Sequence, residues 1–297
     1  MASLRMKFFI KMLMKTKEIY DPNFPKDYIR RRAENDARAT KLKIKKGISI
    51  EQHKVNEIPI EIFNPQKTLN DNIIYYIHGG GFNNGSLISA RPFAAELAHN
   101  LNTKVISIQY KLAPEYKYPT QLEECMTIYK WLKDGMAKNS KIIILGDSAG
   151  GNLALTLTHY IIDEKVRKPE AICVISPPTD FSGKLASRKE KEKVDCIITK
   201  NFDLEIRNTY IGTANLNNPY ISPINGSFVD FPPLRIDVGT EEMLLDDSLL
   251  LEKKVKSAGG YVETHVWDGL CHVFPLFPIP EKKKYYNELR AFIQCFS

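Results

Sequence analysis

The sequence predicts an α/β chain: a mostly parallel central sheet covered by helices on both faces. Two observations carry this. An early pair of strand-like runs is followed by regular alternation of short apolar runs and longer amphipathic ones, as parallel βαβ units require. At 297 residues and 43% hydrophobic composition the chain can bury a large single core, and no repeat, low-complexity tract or Pro/Gly/Ser-rich linker divides it. The expected unit is therefore one domain over residues 1–297.

In order, the strand-like runs fall at about 48–54, 58–63, 73–77, 104–110, 141–145, 171–176, 234–238 and 261–266. Helix-like segments lie near 89–100, 120–134, 149–163, 245–258 and 281–295. In such a sheet, ligands bind at the carboxyl ends of the strands. The segments carrying chemistry all follow strands.

Gly146-Asp147-Ser148-Ala149-Gly150 follows the apolar run Lys141-Ile142-Ile143-Ile144-Leu145 and precedes a helix-like stretch. Strand, tight glycine-flanked serine, then helix is what a nucleophile elbow needs, with its hydroxyl held clear of the sheet in a strained turn. The competing interpretation is a plain strand-to-helix turn with Ser148 as an N-cap. Upstream, the strand-like Ile73-Ile74-Tyr75-Tyr76-Ile77 runs into His78-Gly79-Gly80-Gly81-Phe82. Three bare glycines expose backbone N–H groups of the kind that meet an oxyanion in acyl transfer. Neither a phosphate-loop lysine nor a dinucleotide glycine pattern accompanies them.

Past the last strand-like run comes Trp267-Asp268-Gly269-Leu270-Cys271-His272-Val273-Phe274, where a general base would follow the serine and the acid in chain order. Of six histidines, His53 and His265 lie in strand-like segments and His99 and His159 in helical ones, where surface or packing positions are expected. His78 belongs to the glycine loop, with a structural hydrogen bond expected. This leaves His272 as the base. Cys271 beside it is expected to pack rather than react.

Four stretches together resemble a known family: His78-Gly79-Gly80-Gly81, Tyr110-Lys111-Leu112-Ala113-Pro114-Glu115, Gly146-Asp147-Ser148-Ala149-Gly150-Gly151-Asn152, and Gly269-Leu270-Cys271-His272-Val273-Phe274. Over roughly residues 70–297 the chain is similar to the hormone-sensitive-lipase-like, or GDXG, branch of the α/β-hydrolases. The resemblance implies an α/β-hydrolase fold and a serine carboxylesterase for small or medium acyl esters, with neither metal nor cofactor. It implies an oxyanion hole from the backbone N–H groups of Gly80, Gly81 and Ala149. It also implies a cap from the N-terminal segment, about 1–46, and from an insertion after the sixth core strand, about 181–215. One departure stands out. Where the family carries an aspartate about thirty residues before the histidine, this chain has Glu242 in Gly239-Thr240-Glu241-Glu242-Met243-Leu244-Leu245-Asp246-Asp247. Glu241, Asp246 and Asp247 remain competitors. The last two are expected to be ordinary acids at a helix N-terminus.

The net charge of +7 is uneven: residues 1–46 hold fourteen Lys/Arg against five acids, +9, leaving −2 for the rest. Lysines around Phe8, Phe9, Ile10, Met12, Leu13 and Met14 fit either an interfacial helix on anionic lipid or, as favoured here, a cap helix whose apolar stripe faces the pocket. Nucleic acid is not expected as a partner, because the basic residues interleave with no binding module. The run Arg188-Lys189-Glu190-Lys191-Glu192-Lys193 is expected to be a solvated helical face. No stretch approaches the ~20 apolar residues that span a bilayer, and the N-terminal apolar runs are too short for a signal peptide. Five cysteines without CxxC pairing fit a reducing, cytoplasmic setting. The rival activities are an interfacial lipase and a non-catalytic small-molecule receptor on the same fold. Oligomeric state is not readable.

Overall fold

The computed structural model describes residues 2–17, 19–23, 27–68 and 71–296. Glu18 and Lys26 of the basic segment lie outside them. Among these residues eight strands form one sheet: β1 (Ile48–Val55), β2 (Ile58–Pro65), β3 (Ile73–Ile77), β4 (Lys104–Ile108), β5 (Ile142–Asp147), β6 (Ala171–Ile175), β7 (Leu234–Gly239) and β8 (Val262–Trp267). Their spatial order is β1-β2-β4-β3-β5-β6-β7-β8. β1 pairs antiparallel with β2 and β2 with β4, and every later pair is parallel.

The helices are α1 (Leu4–Thr16), α2 (Tyr28–Ala39), α3 (Leu87–Leu101), α4 (Thr120–Asp134), α5 (Ala149–Asp163), α6 (Ser187–Glu190), α7 (Phe202–Ile206), α8 (Leu245–Ser257) and α9 (Lys282–Phe296). Side chains alternate across each strand, so both faces of the apolar β3 run must be covered. Ile73, Tyr75 and Ile77 pack in one core with α4, α5 and α8, while Ile74 and Tyr76 pack in the other with α3 and α9.

The order reverses at β3. The chain leaves β3 for β4 on one side, then crosses back to β5 on the other, and Ile77 lies in register with Gly146. This is a topological switch point, where loops at the carboxyl ends diverge and open a crevice. The expected strands lie within a few residues of those observed. β5 runs two residues further, to Asp147, because its pairing with β6 continues to Asp147↔Ile175.

Between β6 and β7 a long insertion carries α6, α7, a π-turn over Arg207–Ile211 and a 3₁₀ turn over Pro223–Asn225. The expected solvated face at Arg188–Lys193 needs correction here. α6 is four residues long, and Arg188 is buried, its guanidinium 2.8 Å from Asp247 and 3.3 Å from Asp203. Asp247 is accordingly not an ordinary helix-end acid. Fully buried, it also accepts from the backbone N–H groups of Thr179 and Asp180, anchoring the insertion to α8.

Candidate active site

Ser148 sits between β5 and α5 at φ 50°, ψ −121° and makes no capping hydrogen bond, so the N-cap interpretation is not met. A side chain in this sparsely populated region needs surroundings that enforce it. Both flanking glycines supply them: a Cβ on Gly146 would meet the Gly150 carbonyl oxygen at 2.2 Å, and one on Gly150 would meet that of Ile77 at 2.0 Å. The elbow is thus wedged against the end of β3.

His272, in the loop after β8, reaches Ser148 Oγ with Nε2 at 2.9 Å and Glu242 Oε2 with Nδ1 at 2.9 Å. Glu242 follows β7 and is fully buried. Its other oxygen accepts from the Gly239 N–H at 2.5 Å and from Ser176 Oγ at 3.0 Å. The two loops are laced together by Glu241 N–H donating to the Leu270 carbonyl at 3.0 Å. Glu241 and Asp246 point elsewhere, accepting from Thr240 Oγ1 and the Ser187 N–H respectively. Asp247 is taken by Arg188.

Burial alone would hold the His272 imidazole neutral, but the hydrogen bond and charge of Glu242 outweigh it and lift its pKa above the ordinary histidine value. Burial also lifts Glu242 above the usual carboxyl range, partly offset by His272. A hydroxyl with a base in reach, itself oriented by a carboxylate, has the makings of an activated nucleophile.

The glycine loop faces this row. Gly80 and Gly81 adopt φ of 114° and 61°, and a Cβ on Gly80 would meet the Asn84 carbonyl at 2.2 Å. Among the described residues the N–H groups of Gly80 and Gly81 donate to no backbone acceptor, and Ala149 opens α5, where an N–H has no partner within the helix. Asp147 Oδ1 accepts from Gly79 N–H at 3.1 Å and Tyr76 Oη at 2.7 Å, fixing the loop to the elbow. His78 makes the expected structural bond, Nδ1 to the Gly79 carbonyl at 2.8 Å, and stacks on Tyr110 with centroids 4.3 Å apart. Burial drives its pKa down to about 4. His159 is likewise buried, bonded to the Pro223 carbonyl. Cys271 is buried, with its thiol pushed far up by its contact with Cys196 and by burial.

A cavity of about 530 Å³ lies over Ser148, walled by the glycine loop, by Arg31, Asn35 and Arg38 of α2, and by Ile197, Phe202 and Ile206 of the insertion. Arg32 seats α2, donating to Asn83 and Ala113 carbonyls and pairing through both nitrogens with Glu115 at 2.9 and 2.8 Å. Sequence reasoning missed Ser176, which bridges Glu242 and the Val273 N–H, and Asp195, which accepts from Met243, Ile197 and Ile198 N–H groups. Both are single polar residues at strand or loop ends, without a local signal. Among the described residues no cluster of His, Cys, Asp or Glu could hold a metal ion, and no helix is long and apolar enough to cross a membrane.

A family model described as the alpha/beta hydrolase fold matches residues 74–276. The chain belongs to the α/β-hydrolase family. Within the family it stands in the hormone-sensitive-lipase-like branch. A solved esterase of the bacterial hormone-sensitive lipase family superposes on this α/β-hydrolase with a TM-score of 0.92, at 27% identity, over 100% of this chain and 99% of that one. An esterase of Acinetobacter venetianus is 30% identical over 223 residues, 74% of each chain. An acetyl-hydrolase of Streptomyces hygroscopicus is 27% identical over 223 residues, 74% of this chain and 75% of its own.

Proposed function

We propose that this α/β-hydrolase is a serine carboxylesterase of small to medium acyl esters, in which Ser148, His272 and Glu242 act as nucleophile, base and orienting acid. The observation that carries the reading is the continuous row from Ser148 Oγ through His272 to Glu242, each link 2.9 Å, with Ser148 and His272 on the floor of the cavity and Glu242 buried behind them. That the relatives are named esterase and acetyl-hydrolase supports the ester as substrate class.

Ser148 Oγ attacks the ester carbonyl while His272 Nε2 takes its proton, and Glu242 stabilises the imidazolium. The carbonyl oxygen becomes an oxyanion received by the N–H groups of Gly80, Gly81 and Ala149, each worth about 2.7–4 kcal/mol of barrier in such sites. Collapse expels the alcohol, which leaves with the proton from His272. Water, deprotonated by His272 in turn, then attacks the acyl-enzyme and frees the acid and Ser148. α2 and the insertion act as the cap that bounds the acyl chain and excludes water.

A fluorophosphonate probe should label Ser148 and no other serine. Across p-nitrophenyl esters from acetate to palmitate, turnover should be fastest at about C2 to C8, since the walled cavity gives finite room. Labelling elsewhere, or full turnover by Ser148→Ala, would refute the assignment.

A further inference from the structure

α1 is apolar on two faces, and the fold uses one of them. Met6 is fully buried, and Phe9, Ile10 and Leu13 pack on the core of the α9 side, with the Phe9 ring 6.0 Å from that of Phe277. The helix is firmly seated. The Ser3 N–H donates to Glu281 at 2.6 Å, and at the other end Lys17 Nζ donates to the Asp195 carbonyl at 2.7 Å. The opposite face carries Leu4, Phe8 and Met12, spaced four apart and 85%, 65% and 44% exposed. Steps of four advance about 40° around a helix, so the three form one slightly slanting outward stripe. Lys7 and Lys11 border it on one side, Arg5 on the other, and Lys15 continues it at the C-terminal end, while α1 contains no acidic residue.

We propose that this outward face of α1 docks on a lipid bilayer bearing anionic headgroups. The chemistry fits that occupant at two depths. Leucine, phenylalanine and methionine enter the acyl boundary, and the flanking cations reach back on long stems to headgroup phosphates. An acidic protein surface would satisfy the cations and leave the stripe in water. Position supports the same reading: a cavity of about 540 Å³ lined by Leu13, Thr16 and Lys17 adjoins the one over Ser148, sharing Arg31, Asn35 and Phe202 with it. A docked α1 would bring the candidate active site close to the membrane, where apolar esters partition. Only this last point rests on the esterase reading.

Flotation of the full-length protein with phosphatidylcholine vesicles, and with vesicles containing a third phosphatidylglycerol, tests the docking without any turnover. Binding should require phosphatidylglycerol and weaken steeply near 1 M salt, where the Debye length is about 3 Å. Joint replacement Leu4→Ser, Phe8→Ser and Met12→Ser should lower partitioning at least about tenfold. Lys7→Gln, Lys11→Gln and Lys15→Gln should each lower it about fivefold. All these variants should keep wild-type hydrolysis of soluble p-nitrophenyl butyrate, which reports that the fold is intact. Equal partitioning onto both vesicle types, or none onto either, would overturn the proposal. So would undiminished binding of the triple serine variant, because adsorption would then be charge alone.

Discussion

The carboxylate of Asp147 accepts a hydrogen bond from the backbone N–H of Gly79 at 3.1 Å, so the residue before the candidate nucleophile holds the loop of the candidate oxyanion donors. The same oxygen accepts the Tyr76 hydroxyl, and burial lifts the Asp147 pKa despite both bonds. Elbow and glycine loop are thereby tied through one carboxylate oxygen.

Asp147→Ala should therefore lower kcat by about 10²-fold, the scale of a displaced oxyanion donor. It should also cost about 1–3 kcal/mol of stability, because the Tyr76 hydroxyl and the Gly79 N–H lose their acceptor. Steady-state kinetics beside urea unfolding separates the two effects. An unchanged kcat in a folded variant would show that the loop needs no such tie.

Protonated His272 cannot take the Ser148 proton, so kcat/KM should fall on the acid side and rise with pH. Since Glu242 lifts the His272 pKa, the midpoint should lie above the ordinary ~6.5. A pH–rate profile of soluble ester hydrolysis, with the acylation step limiting, reads it. A midpoint well below that value would contradict the assigned pairing.

Glu242→Gln should cut kcat steeply, since an amide can favour the wrong imidazole tautomer; the corresponding change in a serine protease costs about 10⁴. With the Glu242 charge gone, only the smaller pulls of Asp195 and Asp147 oppose burial, so the acid limb of the profile should shift to lower pH. Glu242→Asp keeps the charge but falls a methylene short, so part of the activity should remain. Comparable kcat in wild type and the glutamine variant would remove Glu242 from the triad.

Asp247→Asn separates stability from chemistry. It removes the closer of two carboxylates from the buried Arg188, which keeps Asp203 at 3.3 Å, so the loss should stay below the ~3–5 kcal/mol of a fully orphaned buried charge. Chemical denaturation should show that loss, while kcat per folded molecule stays near wild type. A variant of normal stability but little activity would reverse the assignment.

Gly150→Ala should destabilise by at least about 1–3 kcal/mol, as overpacking does, because the new methyl meets the Ile77 and His78 carbonyls at 2.0 and 2.6 Å. Both contacts are backbone, so relief must move β3 and the glycine loop together. Thermal unfolding and kcat should fall in step.

What was legible in the chain is what local backbone chemistry dictates. Alternation of apolar periods set the element order, and glycines flanking Ser148 marked a turn that tolerates no neighbouring Cβ. Position past the last strand singled out His272. What depends on which distant segments meet emerged only on folding. Because β3 inserts between β4 and β5, the glycine loop and the elbow share one crevice, though about seventy residues separate them in the chain. Four acids compete within Glu241–Asp247, and spacing cannot tell an orienting carboxylate from an ion-pair partner. Burial beside Arg188 claims Asp247 and leaves Glu242 facing His272. Ser176 and Asp195 carry no pattern at all, since a lone polar residue gains its role only from the N–H groups that folding brings to it. The same holds for α1, whose apolar residues fit either a lipid surface or a cap over the pocket in sequence, while packing on Phe277 and its neighbours turns Phe9, Ile10 and Leu13 toward the α9 side of the core.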